Sequence, residues 1–124
     1  MNTNKVVESE KVEMLKNAYR WFNARNIDAV LKLLDPDVDW PNGMEGGIEH
    51  GHEAVRNYWT CQWKLVDPRV EPVKFENVND GRIDVTVQQV VKDLSGALMS
   101  DQIVHHIYSF KNGVIISMEI VNPS

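Results

Sequence analysis

The sequence predicts an α+β domain in which helices come first and a largely antiparallel sheet follows. Apolar residues recur at helical spacing in three stretches before Asp67-Pro68. Beyond that dipeptide the period changes to alternation and stays so to the end of the chain. Asn112-Gly113, the strongest hairpin signal present, joins two runs rich in β-branched and aromatic residues.

At 124 residues the chain is long enough to bury a real core in one domain. Residues 1–8 read as a polar, flexible tail, and residues 9–124 as the single domain. The formal net charge is −5, and Lys and Arg are scattered among acids, which argues against nucleic acid as a partner. No apolar run reaches the ~18 residues a membrane span needs. The N-terminal stretch lacks the apolar segment of a secretory signal, so a cytoplasmic location without membrane attachment is expected. The single cysteine, Cys61, allows no internal disulfide and suits a reducing compartment. No thiol-activating motif surrounds it, and it reads as a small helix residue.

The first helix spans residues 9 to about 25, with Val12, Leu15, Tyr19 and Phe22 as its apolar stripe, widened by Met14, Ala18 and Trp21. Asn26 can cap a short second helix that buries Ile27, Val30, Leu31 and Leu34. Asp35-Pro36 stops it. Val38 and Trp40 alternate with acids as a very short strand, and a Gly-rich loop follows. Gly51 opens a third helix carrying Val55, Tyr58, Trp59 and Trp63, ending near Val66. Four strands are expected at residues 70–77, 82–92, 97–110 and 114–121, turning at Asp80-Gly81, residues 93–96 and Asn112-Gly113.

Three stretches, YRWFNARNIDAVLKLLDPDVDW, GHEAVRNYW and HHIYSFKNGVIISMEI, resemble in wording and order the SnoaL-like and ketosteroid isomerase-like members of the nuclear transport factor 2-like superfamily. The resemblance implies a cystatin-like cone-shaped roll, three helices wrapped by a curved sheet, with a pocket between them. It also implies a homodimer through the open face of the sheet. Both faces of the last two strands read as apolar, which favours the same interface. Function is not implied, because the superfamily holds isomerases, cyclases, hydrolases, dehydratases and non-catalytic binding modules. Carried over by position, the isomerase's catalytic base falls on Trp40, its oxyanion tyrosine on Ala18 and its protonated aspartate on His106. All three differ, so a ketosteroid isomerase proper is not expected. The Asp-Arg-Asp set of the limonene epoxide hydrolases is not recognisable either.

The chemistry that remains centres on His106. It alternates with Val104, Tyr108 and Phe110 on one strand face and would enter the pocket as an acid or base. Asp101 resembles the acid that SnoaL-type cyclases place on this strand. Glu45, in the Gly-rich loop beside Trp40 and Met44, could serve as a desolvated base. Each has a plainer reading, as a bonded core histidine, a strand-edge acid and an exposed loop acid. Trp40, Met44, His50, Trp59, Trp21, Trp63, Gln89 and Tyr108 are the candidate binding residues. Glu49, His50, His52 and Glu53 invite a metal reading, but their spacing matches no strong zinc motif. No metal or cofactor is expected. The partner would be a small apolar or amphipathic molecule. Cofactor-free acid-base catalysis on it, of isomerase, cyclase or dehydratase type, competes with non-catalytic binding and with a plain dimerisation module.

Overall fold

The computed structural model describes residues 9–122, so the expected tail lies outside the described residues. The elements run α1 (Ser9–Asn23), α2 (Ile27–Leu31), β1 (Leu34–Pro41), β2 (Ile48–His50), α3 (His52–Leu65), β3 (Val66–Asn77), β4 (Ile83–Asp93), β5 (Leu98–Lys111) and β6 (Val114–Val121). The strands form one sheet in the order β2-β1-β6-β5-β4-β3. All its pairings are antiparallel except β1 with β6. The α+β class read from the sequence is the observed one, with three helices packed on a six-stranded sheet. Register shifts interrupt four of the five pairings. Such shifts bend and twist strands, which lets the sheet wrap around the helices.

The element boundaries correct the sequence reading in three places. First, β1 starts at Leu34, ahead of Pro36, rather than at Val38. Pro36 falls within the interruption between the Leu34–Ile115 and Asp39–Ser117 pairings, where its missing N–H costs no ladder bond. Second, His50 belongs to strand β2, paired with Asp39, and not to the turn before α3. Third, β3 starts at Val66 and runs through Pro68 and Pro72. It is an edge strand, bonded only to β4, where proline is tolerated. The Asn112-Gly113 turn forms as expected, with both residues at positive φ (53° and 83°), the pattern whose twist suits a two-residue hairpin.

The core lies between α1, α3 and the inner face of the sheet. Leu15, Val38, Val55, Val85, Val87 and Ile115 are fully buried in it. The period-two alternation of β4 fixes its register: Ile83, Val85 and Val87 point in, while Asp84, Thr86 and Gln88 do not.

Helix α1 is tied to the edge of the sheet by Asn23. Its Nδ2 donates to the Val70 carbonyl at 2.7 Å, and its Oδ1 accepts from the Val70 N–H at 2.9 Å. The amide thus satisfies the backbone groups that Val70, on an edge strand, cannot pair with a further strand. Asn23→Ala should lower the unfolding free energy by about 1–3 kcal/mol, the cost of leaving such groups unpaired. A denaturant midpoint equal to the native one would show that the amide contributes nothing beyond what water supplies.

Candidate functional site

A cavity of about 250 Å³ opens between α1, α3 and the inner face of the sheet. Its wall comes from α1 (Ala18, Tyr19, Phe22), α3 (Tyr58, Trp59, Gln62), the strands and the loop after β1. Met44 and Ile120 line it and are also exposed, so the cavity reaches solvent between them. Among the described residues that line it, none is an Asp, Glu, Lys or Arg. Its polar atoms come from tyrosine, glutamine, histidine, tryptophan and backbone groups.

Trp40, Met44, Trp59, Gln89, His106 and Tyr108, six of the residues singled out in the sequence, line this cavity. The strand-face assignment is the reason. His106 lies between Val85 of β4 and Ile120 of β6, and Tyr108 between Ile83 and Met118. Trp59 is fully buried and meets Trp40 edge-on, with centroids 5.4 Å apart.

The other five lie elsewhere. Asp101 is on the outer face, its carboxylate accepting from Gln88 Nε2 at 3.2 Å. It stands five residues before His106, and the strand period then turns it away. Glu45 is exposed at the tip of the loop after β1 and does not line the cavity. The inward-turned side chain of that loop is buried Asn42, whose Oδ1 accepts from the N–H groups of Met44 and Glu45. His50 is exposed and bonded to Asp39 at 2.7 Å, which raises its pKa, so it takes no part in the cavity. Trp21 sits two residues beyond Tyr19, about 200° round the helix, and faces outward. Trp63 lies behind the wall, stacked on Trp59 at 6.1 Å under the Arg25 guanidinium. Its indole N–H is buried, with no hydrogen-bond partner among the described residues.

The suspected metal cluster is dispersed. His52 bonds the Leu34 carbonyl, Glu49 accepts from Asn42, and Glu53 lies near Arg56. Among the described residues no group of three His, Cys, Asp or Glu side chains is placed to hold a metal.

Two hydrogen-bonded groupings give the cavity its polarity. At the mouth, the Tyr58 hydroxyl accepts from the Gly43 N–H at 3.0 Å and from Gln62 Nε2 at 3.4 Å. Deeper, the Tyr108 hydroxyl donates to the Tyr19 oxygen at 2.8 Å, and the Tyr19 hydroxyl lies 2.8 Å from Nδ1 of His106. Tyr19 and Tyr58 were not among the sequence candidates. Tyr19 stands next to Ala18, the position where the family resemblance places an oxyanion tyrosine. A hydroxyl does reach the cavity from α1, one residue along. The helical stripe already contained Tyr19, but periodicity alone reads it as core.

Burial shifts each group of the deeper set toward its uncharged form. It lowers the His106 pKa to about 4, with neighbouring His105 as the smaller cause. It raises the Tyr19 and Tyr108 hydroxyls above the ordinary phenol range. At neutral pH all three are uncharged.

The fold and this cavity define a protein of the nuclear transport factor 2-like class. Residues 15–118 match the SnoaL-like domain, and the chain belongs to that family. A protein of this class from Burkholderia pseudomallei, of unknown function, is 27% identical with a TM-score of 0.80, over 93% of this chain and 92% of its own. TerC, co-crystallised with polyporic acid, is 25% identical with a TM-score of 0.80, over 93% and 92%. The epoxide hydrolase/cyclase-like enzyme SalBIII, from the polyether salinomycin system, shares the fold at 17% identity and a TM-score of 0.78, over 92% and 91%. Among curated proteins no match is found.

The low pKa of His106 has a consequence for stability. The unfolded chain accepts a proton there below about pH 6.5, whereas the folded protein resists it until about pH 4. The contribution is therefore whole above pH 6.5 and is lost as the pH falls toward 4. It amounts to something on the order of 3 kcal/mol. Urea unfolding at pH 7 and 4.5 should show His106→Phe losing less stability on acidification than the native protein. Equal losses in the two would assign the effect to other groups.

Proposed function

We propose that this SnoaL-like protein binds a small, uncharged, largely apolar molecule in the cavity between α1, α3 and the sheet. The observation that carries the reading is the lining: aromatic and aliphatic, with a few placed polar groups and, among the described residues, no charged side chain. An ion entering such a site would lose its hydration and find no counter-charge. The co-crystallisation of TerC with polyporic acid supports small-molecule binding by a protein of this fold at 25% identity.

A second reading, cofactor-free catalysis on the bound molecule, is favoured by His106. Its ring is buried at the cavity wall and bonded to the Tyr19 hydroxyl, which in turn is bonded to that of Tyr108. Proton abstraction would need a base, and among the described residues no carboxylate lines the cavity. Binding therefore comes first, with polarisation of a bound group as the chemistry the site could add. The exposed thiol of Cys61 suits a reducing cytoplasm, where this reading places the protein.

Benzophenone, a compact two-ring probe, should quench the emission of Trp40 and Trp59 saturably. Val91→Phe, which fills the cavity from β4, should weaken that binding about tenfold or more while leaving the melting temperature nearly unchanged. Binding unaffected by the substitution would place the probe elsewhere and end the reading.

The partner proposed for the sheet is a second copy of this chain. The outer face carries exposed Ile103 and Val121 around the His105–Asp84 pair, whose atoms are 2.9 Å apart. Light scattering at micromolar concentration should give twice the chain mass, and Ile103→Asp should return it to the monomer value. A monomeric mass for the native protein would dispose of the dimer.

A further inference from the structure

The hydrogen atoms of the Tyr108–Tyr19–His106 set can be assigned by counting donors and acceptors. Tyr108 is 2% exposed, and among the described residues the Tyr19 oxygen is the one partner of its hydroxyl. It therefore donates there, because the reverse direction would leave its own hydrogen without an acceptor. The Tyr19 oxygen already accepts that hydrogen, and its own must find an acceptor. Its remaining partner is Nδ1 of His106, at 2.8 Å. Were Nδ1 protonated, two hydrogens would face each other and the buried Tyr19 hydroxyl would have nowhere to donate. Nδ1 is therefore the acceptor, and the neutral ring carries its hydrogen on Nε2. Nε2 has no partner among the described residues, and His106 lines the cavity.

We infer that the cavity selects an uncharged carbonyl compound, whose oxygen accepts the Nε2–H of a neutral His106 imidazole held in that tautomer by Tyr19 and Tyr108. The inference rests on the binding reading given above and adds the chemical class of the ligand. Burial supports it independently, since it keeps the ring from taking a second proton near neutral pH. A neutral imidazole that donates to a carbonyl acts as an electrophile: it draws charge toward the oxygen and moves no proton. It cannot serve as a base toward the cavity, because its lone pair is already occupied at Nδ1. An anion is disfavoured as well, because one neutral donor does not offset the lost hydration of a carboxylate. Tyr19 and Tyr108 are thus positioning residues, acting on the ligand through the ring.

Three probes of one skeleton test this: benzophenone, diphenylmethane and diphenylacetate. At neutral pH the ketone should bind at least tenfold tighter than the carboxylate. The ratio of ketone to hydrocarbon affinity should fall about tenfold in His106→Phe, the worth of one good hydrogen bond. The carbonyl stretch of bound benzophenone should lie at lower frequency in the native protein than in His106→Phe, with Tyr19→Phe in between. The ring nitrogen NMR shifts of His106 should report hydrogen on Nε2 in the native protein and a tautomer mixture in Tyr19→Phe. Hydrocarbon binding checks that each variant keeps its cavity, and the native comparisons need no variant. If the carboxylate binds as tightly as the ketone, or Nδ1 carries the hydrogen, the carbonyl inference is overturned while the cavity remains a binding site. If none of the probes binds, both fall.

Discussion

The Tyr19 hydroxyl sits between two buried groups of β5, and that position decides where α1 can lie. It accepts from Tyr108 and reaches Nδ1 of His106, each at 2.8 Å. Four residues later, on the same side of the helix, Asn23 pairs with both backbone groups of Val70. One tie holds α1 to the middle of the sheet and the other to its edge. Sliding or rolling the helix would leave several buried polar groups unpaired, at about 1–3 kcal/mol each. Phe22 and Ala18 are carried by the same helix, so these ties also fix one wall of the cavity. The Tyr19 bonds thus anchor the helix and also supply the deeper part of the cavity's polarity.

Charge is distributed accordingly. The chain carries 18 acids and 13 Lys and Arg residues, yet among the described residues none of them lines the cavity. The ion pairs, such as Arg56 with Asp28 and Arg69 with Glu71, stand at the surface where water screens them. Within the cavity, low polarity favours the neutral form of each titratable group, so hydrogen bonding to uncharged groups is the only strong polar interaction available there. The fold leaves the reaction undecided, as the varied chemistry of the superfamily shows. Among the described residues no carboxylate lines the cavity, which is why binding is the reading proposed first.

Much of the fold was legible because it follows from local rules. Helical stripes, the Asn112-Gly113 turn and the alternation of β4 and β5 depend on residues near one another in sequence, and they were read with small boundary errors. The errors cluster at prolines. Pro36 and Pro68 look like element ends in a linear reading, but an irregular pairing and a sheet edge accommodate them. The strand β2 was missed because three residues carry too little pattern to stand apart from a Gly-rich loop.

By itself the sequence determined the class of fold and the alternation that puts His106 on one face of β5 with Val104 and Tyr108. Both faces of that strand are apolar in sequence, so which of them turns inward was decided by the packing of the helices. The sequence also marked Trp40, Met44 and Trp59 as candidates to line a pocket, and all three line the cavity. Tertiary structure alone decided which polar groups converge. Tyr19 and His106 are 87 residues apart and become partners only when α1 crosses the sheet. Glu45 and Asp101, chemically plausible in the sequence, are carried to the surface by a loop tip and a strand period. A residue type states what chemistry is possible; the solvent and partners that determine whether it is used are set by long-range packing.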